Sequence, residues 1–358
     1  MATLLFFCHS KKDLYRITPI VNALEQNRND SKIHICYCGS KKRWNKHNIK
    51  GFEDQIAHPD IFILIKNNGV PEQIGELSAA AEKIFLTIKP DLLIIPDHHY
   101  LALATANTAS SMGIKICIMN AGFRVYTDDP MTNFRAEVDS VADLQLCHDA
   151  NSYNNLKKEG IANKDTYLVN NPLFETITGI APLIELPLIE GFNSDAEFGL
   201  AYFFSKAESF RNDYFMATIY LLAEISTKHP LVIPIHENNY KKLRKVKTLT
   251  ENKNITLLDE LNYPDYLALV KKALFVVTDT NSIQEECQVL NTLCITVAPL
   301  INYISTPDDG SNFVEILDHV KILRKIDHFW AGGMKTETDF KNKSGVSKKI
   351  SELLVECV

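Results

Sequence analysis

The 358-residue chain has no apolar run near the ~20 residues that a membrane-crossing helix needs, so no such span is expected. It also lacks the opening of a secretory leader. Leu4-Leu5-Phe6-Phe7 is too short for the apolar segment of one, and no basic residue precedes it. A cytoplasmic location is the resulting expectation. Basic charge is in deficit, with 38 Lys and Arg against 44 Asp and Glu and a net charge of −6, and this argues against nucleic acid as a main partner. The pairs Lys11-Lys12, Lys41-Lys42 and Lys241-Lys242 read as solvated surface. The eight cysteines are scattered, and those in settings such as Ile116-Cys117-Ile118 and Leu293-Cys294-Ile295 read as buried free thiols. His34, Cys36 and Cys38 share a strand face but have no second pair at finger spacing, so no metal or cofactor is expected. Low-complexity tracts and internal repeats are also missing.

What is present is alternation. Apolar runs of strand length take turns with helical patterns from end to end, the mark of parallel sheets with crossover helices, and the fold class is α/β. Strands are expected at 4–7, 33–38, 92–95, 114–119, 144–147 and 167–169, and helices at 13–26, 71–88, 100–112 and 150–159. In the helix over 71–88, Ile74, Leu77, Ala81 and Ile84 form the expected buried stripe. Prolines 172, 182 and 187 interrupt the segment 171–195, and the linker is placed there. Strands then restart at 198–204, 231–235, 255–258, 274–278 and 293–297, with helices at 210–228, 264–272 and 283–290. The reading is two doubly wound, Rossmann-like domains, residues 1–172 and 190–345, facing a cleft. The closing helix 346–358 packs back on the first domain. At this length each domain can bury its own core.

Ligands of open α/β sheets bind beyond the carboxyl ends of strands, so the residues that follow strands carry the functional expectation. These are His9-Ser10-Lys11, Asp97-His98-His99, Asn120-Ala121-Gly122, His236-Glu237-Asn238 and Thr280-Asn281-Ser282. The run from Phe275 to Glu286 passes from strand through a polar turn into a helix, a junction that aims N–H groups and a positive helix end at a phosphate. Glu286 is then placed to meet a ribose. Asp279 or Thr280 serves equally as an ordinary helix cap.

Several of these runs resemble motifs of the non-hydrolysing UDP-N-acetylglucosamine 2-epimerases, over nearly the whole chain. Pro234-Ile-His-Glu-Asn238 is similar to Pro-Val-His-x-Asn, and Thr278-Asp-Thr-Asn-Ser-Ile-Gln-Glu-Glu286 to Thr-Asp-Ser-Gly-Gly-Ile-Gln-Glu-Glu. The run Leu257–Tyr266 resembles a Leu-(x)3-Leu-x-Tyr stretch. Lys11 and Arg16 fall on two basic positions of the family's first motif, Asp97 on the Asp of Gly-Asp-Thr, Asn171-Pro172 on an Asn-Pro, and Arg135 on the last residue of Pro-Glu-Glu-x-Asn-Arg.

The resemblance implies the two-domain fold of nucleotide-sugar glycosyltransferases (GT-B), a UDP-sugar substrate and a homodimer. It implies catalytic roles for Asp97, His236, Lys11 and Arg135, and substrate contacts from Arg16, Asn238, Thr280, Asn281, Ser282 and Glu286. The family's chemistry removes the C2 proton, eliminates UDP and adds it back on the other face, which calls for an acid and a base. Here the chain departs from the pattern: Asn120 and Met131 stand where the family has glutamates, Asn281 and Ser282 where it has two glycines, and Tyr303 near the place of an arginine. His98 and His99 are new ionisable neighbours of Asp97. The expectation is a UDP-sugar enzyme with altered acid–base groups. The alternatives are a glycosyltransferase or nucleotide-sugar hydrolase of the same fold, or a nucleotide-sugar-binding protein without turnover.

Overall fold

A computed structural model gives the architecture and describes residues 2–27, 31–39, 56–66, 69–124, 131–186, 193, 195–203, 212–235, 243–259, 261–280, 282–298, 312–332 and 345–358. The chain divides into two compact units, Met1–Thr176 with Lys343–Val358, and Ile177–Asn342.

The first unit is built on seven strands: β1 (Thr3–Cys8), β2 (Lys32–Cys38), β3 (Ile61–Ile63), β4 (Leu92–Ile95), β5 (Lys115–Met119), β6 (Leu144–Cys147) and β7 (Thr166–Leu168). Their order in the sheet is 3-2-1-4-5-6-7, with every pairing parallel. Such a sheet is covered on both faces, which is why its strands are apolar without alternation. Leu4 to Cys8 and Leu92 to Ile95 are all fully buried, and each large side chain contributes about 1.5–3 kcal/mol. The covering helices include α1 (Lys11–Gln26), α2 (Val70–Ile88), α3 (Tyr100–Ser111), α4 (Met131–Ser140), α5 (Ala150–Glu159) and α6 (Leu173–Ile180).

The second unit repeats the scheme with β8 (Gly199–Tyr202), β9 (Leu231–Pro234), β10 (Ile255–Leu258), β11 (Phe275–Thr278), β12 (Leu293–Ala298) and β13 (Asn312–Ile316). The order is 10-9-8-11-12-13, again all parallel. Its helices include α7 (Asn212–Ser226), α8 (Tyr263–Lys272), α9 (Ser282–Leu290) and α10 (His319–Trp330). Gly199 has no room for a side chain, since a Cβ there would lie 2.1 Å from the Phe275 ring. The last helix, α11 (Val346–Glu356), belongs to the first unit and packs on α1. The Glu175 carboxylate accepts hydrogen bonds from the backbone N–H groups of Val346 and Ser347 at 2.7 and 3.2 Å, capping α11.

Both sheets therefore have Rossmann strand order, reversing direction between β1 and β4 in one and between β8 and β11 in the other, the points where such folds bind ligands. Three-residue β3, helix α4, strand β13 and helix α10 were not expected from the sequence. In β3, α4 and β13 the apolar positions are too few or too interrupted to show a period, whereas α10 carries a regular apolar stripe, Ile322, Ile326 and Phe329, that the sequence reading passed over. The segment 171–195 expected as linker holds α6, whose Leu173 and Ile177 are fully buried. The buried stripe of α2 is wider than expected: Leu77 and Ala81 are buried, Ile74 and Ile84 pack partly buried against the same core, and Gln73 and Phe85 are buried as well. Gln73 goes inside because its side-chain oxygen accepts the Tyr100 hydroxyl, and Phe85 because it packs edge-on against Phe7.

Candidate active site at two switch points

At the first switch point, β1 runs into α1 through a capping box. Ser10 Oγ accepts from the Asp13 N–H at 3.2 Å, and Asp13 Oδ2 accepts from the backbone of His9 and Ser10, each at 2.8 Å. That anchored turn starts α1, and Arg16 points from it toward the end of β4. Its guanidinium is 1% exposed and Nη1 donates to Asp97 Oδ2 at 2.6 Å. Asp97 Oδ1 accepts from Asn120 Nδ2 at 2.9 Å and from the His98 N–H at 2.8 Å.

Both oxygens of Asp97 are thus engaged. Burial works against its charge, but Arg16, His98 and the Asn120 hydrogen bond overcome this and hold the carboxyl well below its usual range. Asp13 is the opposite case. Burial and the nearby Asp97 charge push it up to about 6 in spite of Arg16.

Asn120, the residue in place of a family glutamate, sits at φ +56° directly after β5 and Gly122 at φ +77°. Both conformations are left-handed, where Asn and Gly are the residues best tolerated. A Cβ on Gly122 would lie 2.0 Å from the Ser152 carbonyl oxygen. Gly122 N–H donates to Asp139 Oδ2 at 3.0 Å, and the same carboxylate receives Arg124 Nη1 at 2.7 Å and lies 2.8 Å from His98 Nε2. Arg124 reaches on to Glu159 at 2.6 Å.

His99 caps α3, its Nδ1 accepting the Leu101 N–H at 3.2 Å; burial lowers its pKa to about 4. His9 stacks on His99 and lies 3.1 Å from Thr105 Oγ1, and burial holds its ring well below the ordinary histidine value. His148, the first residue after β6, is 8% exposed. Neither of its ring nitrogens has a hydrogen-bond partner among the described residues.

Lys11 opens α1 and is half-buried. Arg135 lies on α4 with its guanidinium 5.1 Å from the centre of the Phe123 ring. Met131 is the first residue of α4.

At the second switch point, Thr278 Oγ1 donates to the Tyr202 carbonyl at 2.8 Å, tying the end of β11 to that of β8. The buried Thr280 donates its N–H to Thr278 Oγ1 at 3.1 Å. Ser282 begins α9, and Glu286, one turn further on and 2% exposed, accepts the Tyr263 hydroxyl at 3.0 Å. Tyr263 and Tyr202 flank Tyr266, with ring centres 6.3 and 5.5 Å from it, and the buried Tyr266 hydroxyl has no partner. His236, Asn238, Asn281 and Tyr303 lie outside the described residues.

Sequence reasoning assigned no role to His148, Asp139, Arg124 or Tyr266, and met Tyr263 only as the tyrosine of the Leu-(x)3-Leu-x-Tyr run. His148 carried a signal as the residue following an apolar strand. Asp139, Arg124 and Tyr266 depend on long-range contacts. Among the described residues no group of three or more His, Cys, Asp or Glu is placed to hold a metal ion.

The sequence profile of the UDP-N-acetylglucosamine 2-epimerase family matches residues 22–352. A UDP-N-acetylglucosamine 2-epimerase of Methanococcus maripaludis is 25% identical over 329 residues, 89% of each chain. Two solved structures share the fold: the Methanocaldococcus jannaschii UDP-GlcNAc 2-epimerase in complex with UDP-GlcNAc and UDP (TM-score 0.85, 22% identity, 99% of both chains), and the Neisseria meningitidis enzyme bound to UDP-GlcNAc (TM-score 0.85, 18% identity, 99% of this chain and 100% of that one). A lipopolysaccharide galactosyltransferase with a TM-score of 0.57 and 11% identity shares the architecture more distantly. With its profile match spanning both Rossmann sheets, this chain belongs to the UDP-N-acetylglucosamine 2-epimerase family.

Proposed function

We propose that the protein is an enzyme acting on a UDP-sugar, with UDP-N-acetylglucosamine as the first substrate to test and inversion at C2 as the reaction. The observation that carries this is the position of the family-motif residues: Arg16 and Asp97 meet at the switch point of the first sheet, and Thr280 and Glu286 stand at that of the second. In this reading the β11–α9 junction holds the diphosphate through Thr280, Asn281 and Ser282, and Glu286 accepts ribose hydroxyls. His236 and Asn238 contact the diphosphate or sugar. Lys11 and Arg135 supply positive charge to phosphate, and Arg16 holds the Asp97 carboxylate ionised. The family further suggests a homodimer in the cytosol, which sedimentation and fractionation test.

A second reading, nucleotide-sugar binding without turnover, draws support from Asn120. Its amide neither takes nor gives a proton under ordinary conditions, and it is spent on Asp97. Incubating the full chain with UDP-N-acetylglucosamine in deuterated water, beside a calorimetric titration with UDP, separates the two. Deuterium at C2 with a mixture of epimers supports the enzyme; UDP binding with no exchange supports the second reading; release of free sugar points to hydrolysis. Replacing Glu286 with Ala is expected to weaken UDP by about 1–3 kcal/mol through loss of a charge-assisted hydrogen bond. Unchanged UDP affinity in the folded variant removes Glu286 from the site.

A further inference from the structure

His148 is a buried imidazole to which none of the described residues gives a hydrogen bond. Its two ring nitrogens are shielded and unpartnered, although most buried polar side-chain atoms in proteins find a partner. Leaving such a group unsatisfied is costly to a fold. The ring stands at the carboxyl end of β6, the strand paired with β5, and β5 is followed directly by Asn120, where the family has a carboxylate. Neighbouring strands are about 4.8 Å apart, so His148 follows the strand next to the one that has lost its glutamate.

The other ionisable groups at this edge are engaged. Both oxygens of Asp97 are taken up by Arg16, Asn120 and the His98 N–H. His98 lies against Asp139, and His99 receives the Leu101 N–H. His9 is beside Thr105. His148 is the one imidazole of this group with both nitrogens open.

Resting on the epimerase reading above, we propose that His148 is the proton acceptor at C2, in the place of the carboxylate that Asn120 cannot supply. As the C1–O bond to UDP breaks, its electron pair leaves with the phosphate oxygen and positive charge develops at C1, which acidifies the C2 hydrogen. The imidazole takes that proton, and the C–H pair becomes the C1=C2 double bond. Addition then returns the UDP oxygen to C1 and a solvent-derived proton to C2 from the opposite face, while His148 gives its proton back to solvent. The net change is inversion at C2.

A weak base suffices for a proton acidified in this way, and the family's own base is a carboxylate. In its buried position the His148 ring is held below the ordinary histidine value, by burial first and by the Arg16 charge second, with Asp97 acting in the other direction and His98 adding to the lowering. It is neutral and ready to accept at pH 7. Presenting a nitrogen to the sugar requires the ring to turn about its χ1 bond, a rotamer change of a single side chain at a strand end.

The test is His148→Gln in the full chain, read by C2 deuterium exchange of UDP-N-acetylglucosamine and by UDP calorimetry. The expected result is exchange cut by a factor of roughly 10²–10⁴ with UDP affinity within about twofold. Exchange at the wild-type rate overturns the proposal while the epimerase reading stands. A wild type that binds UDP and exchanges nothing overturns that reading, and the proposal with it. Should His148→Gln not fold, deuterium uptake at the C2–H of the His148 imidazole in the wild type, followed by peptide mass spectrometry, decides the matter. A rate that changes several-fold on addition of UDP-N-acetylglucosamine supports the assignment, and an unmoved rate overturns it.

Discussion

Replacing Asp139 with Ala is expected to destabilise the first unit by about 3–5 kcal/mol, the range for removing one partner of a buried ion pair. Asp139 is fully buried and holds three groups at once: Arg124, the Gly122 N–H and His98. Without it Arg124, 5% exposed, keeps the Phe123 carbonyl and, as its only charged partner among the described residues, Glu159, whose carboxylate is partly solvated. The Gly122 N–H is left inside the turn with no acceptor. For a unit of this size the loss corresponds to a fall in Tm of roughly 10 °C. Asp139→Asn preserves the shape and can still accept one of these bonds, so it should lose less. Thermal unfolding of the full chain, with the first unit's transition identified from hydrogen exchange in β1 and β4 peptides, checks the prediction. A loss under about 1 kcal/mol for the alanine variant would show that the network is not a support of the β5–α4 turn.

The first unit is also expected to be acid-labile, losing stability as the pH falls from about 6.5 toward 4. His9, His99 and His148 are all held below the ordinary histidine value, by burial first in each case. Each therefore stays neutral in the folded chain through this window, while the unfolded chain takes up a proton at each near pH 6.5. A group with a lowered folded pKa gives stability that is present above the unfolded value and lost as the pH drops toward the folded one. Asp13 works in reverse. Its folded pKa near 6 lies above the unfolded value of 3.8, so its contribution is greatest at low pH and shrinks as pH rises through 6. Asp97, held low, gives up its contribution only below the ordinary carboxylate range.

Between pH 6 and 4 the unfolded chain holds up to three protons on these histidines, and the folded chain holds one, on Asp13. A net of two corresponds to about 2.7 kcal/mol per pH unit at most, a large fraction of a typical total of about 5–15 kcal/mol. Hydrogen exchange in β1 and β4 peptides at pH 6.5 and 5, corrected for intrinsic rates, reads the change directly. A His99→Gln, His148→Gln double variant should flatten the dependence. Stability equal at both pH values would mean that these rings are charged or solvated in the folded protein.

How much of this was legible in the residues differs from element to element. β4 is a run of four aliphatic residues ending in Pro96-Asp97, and its strand character, burial and the position of Asp97 at its carboxyl end followed from composition alone. The same holds for β11 running into α9. By contrast α4 begins with Met-Thr-Asn and buries few side chains, so no period announces it. The stripe of α2 was read too narrowly at Gln73, a polar residue that hydropathy leaves out, whereas the Tyr100 hydroxyl makes the buried place acceptable for it.

By itself the sequence determined that there are two parallel α/β sheets, that polar residues gather at the ends of β1, β4, β5 and β11, and that the epimerase motifs run through both halves. These are local properties, written in runs of apolar residues and in short motifs. Only the tertiary structure decided what those polar residues do to one another. Arg16 and Asp97 are 81 positions apart, Asp97 and Asn120 23, His98 and Asp139 41. Charge state depends on burial and on neighbours within a few ångströms, and strand order 3-2-1-4-5-6-7 sets those neighbours. The pairing that fixes the ionised Asp97, and the absence of any partner for His148 among the described residues, arise where the sheet reverses its order and no spacing in the chain encodes them.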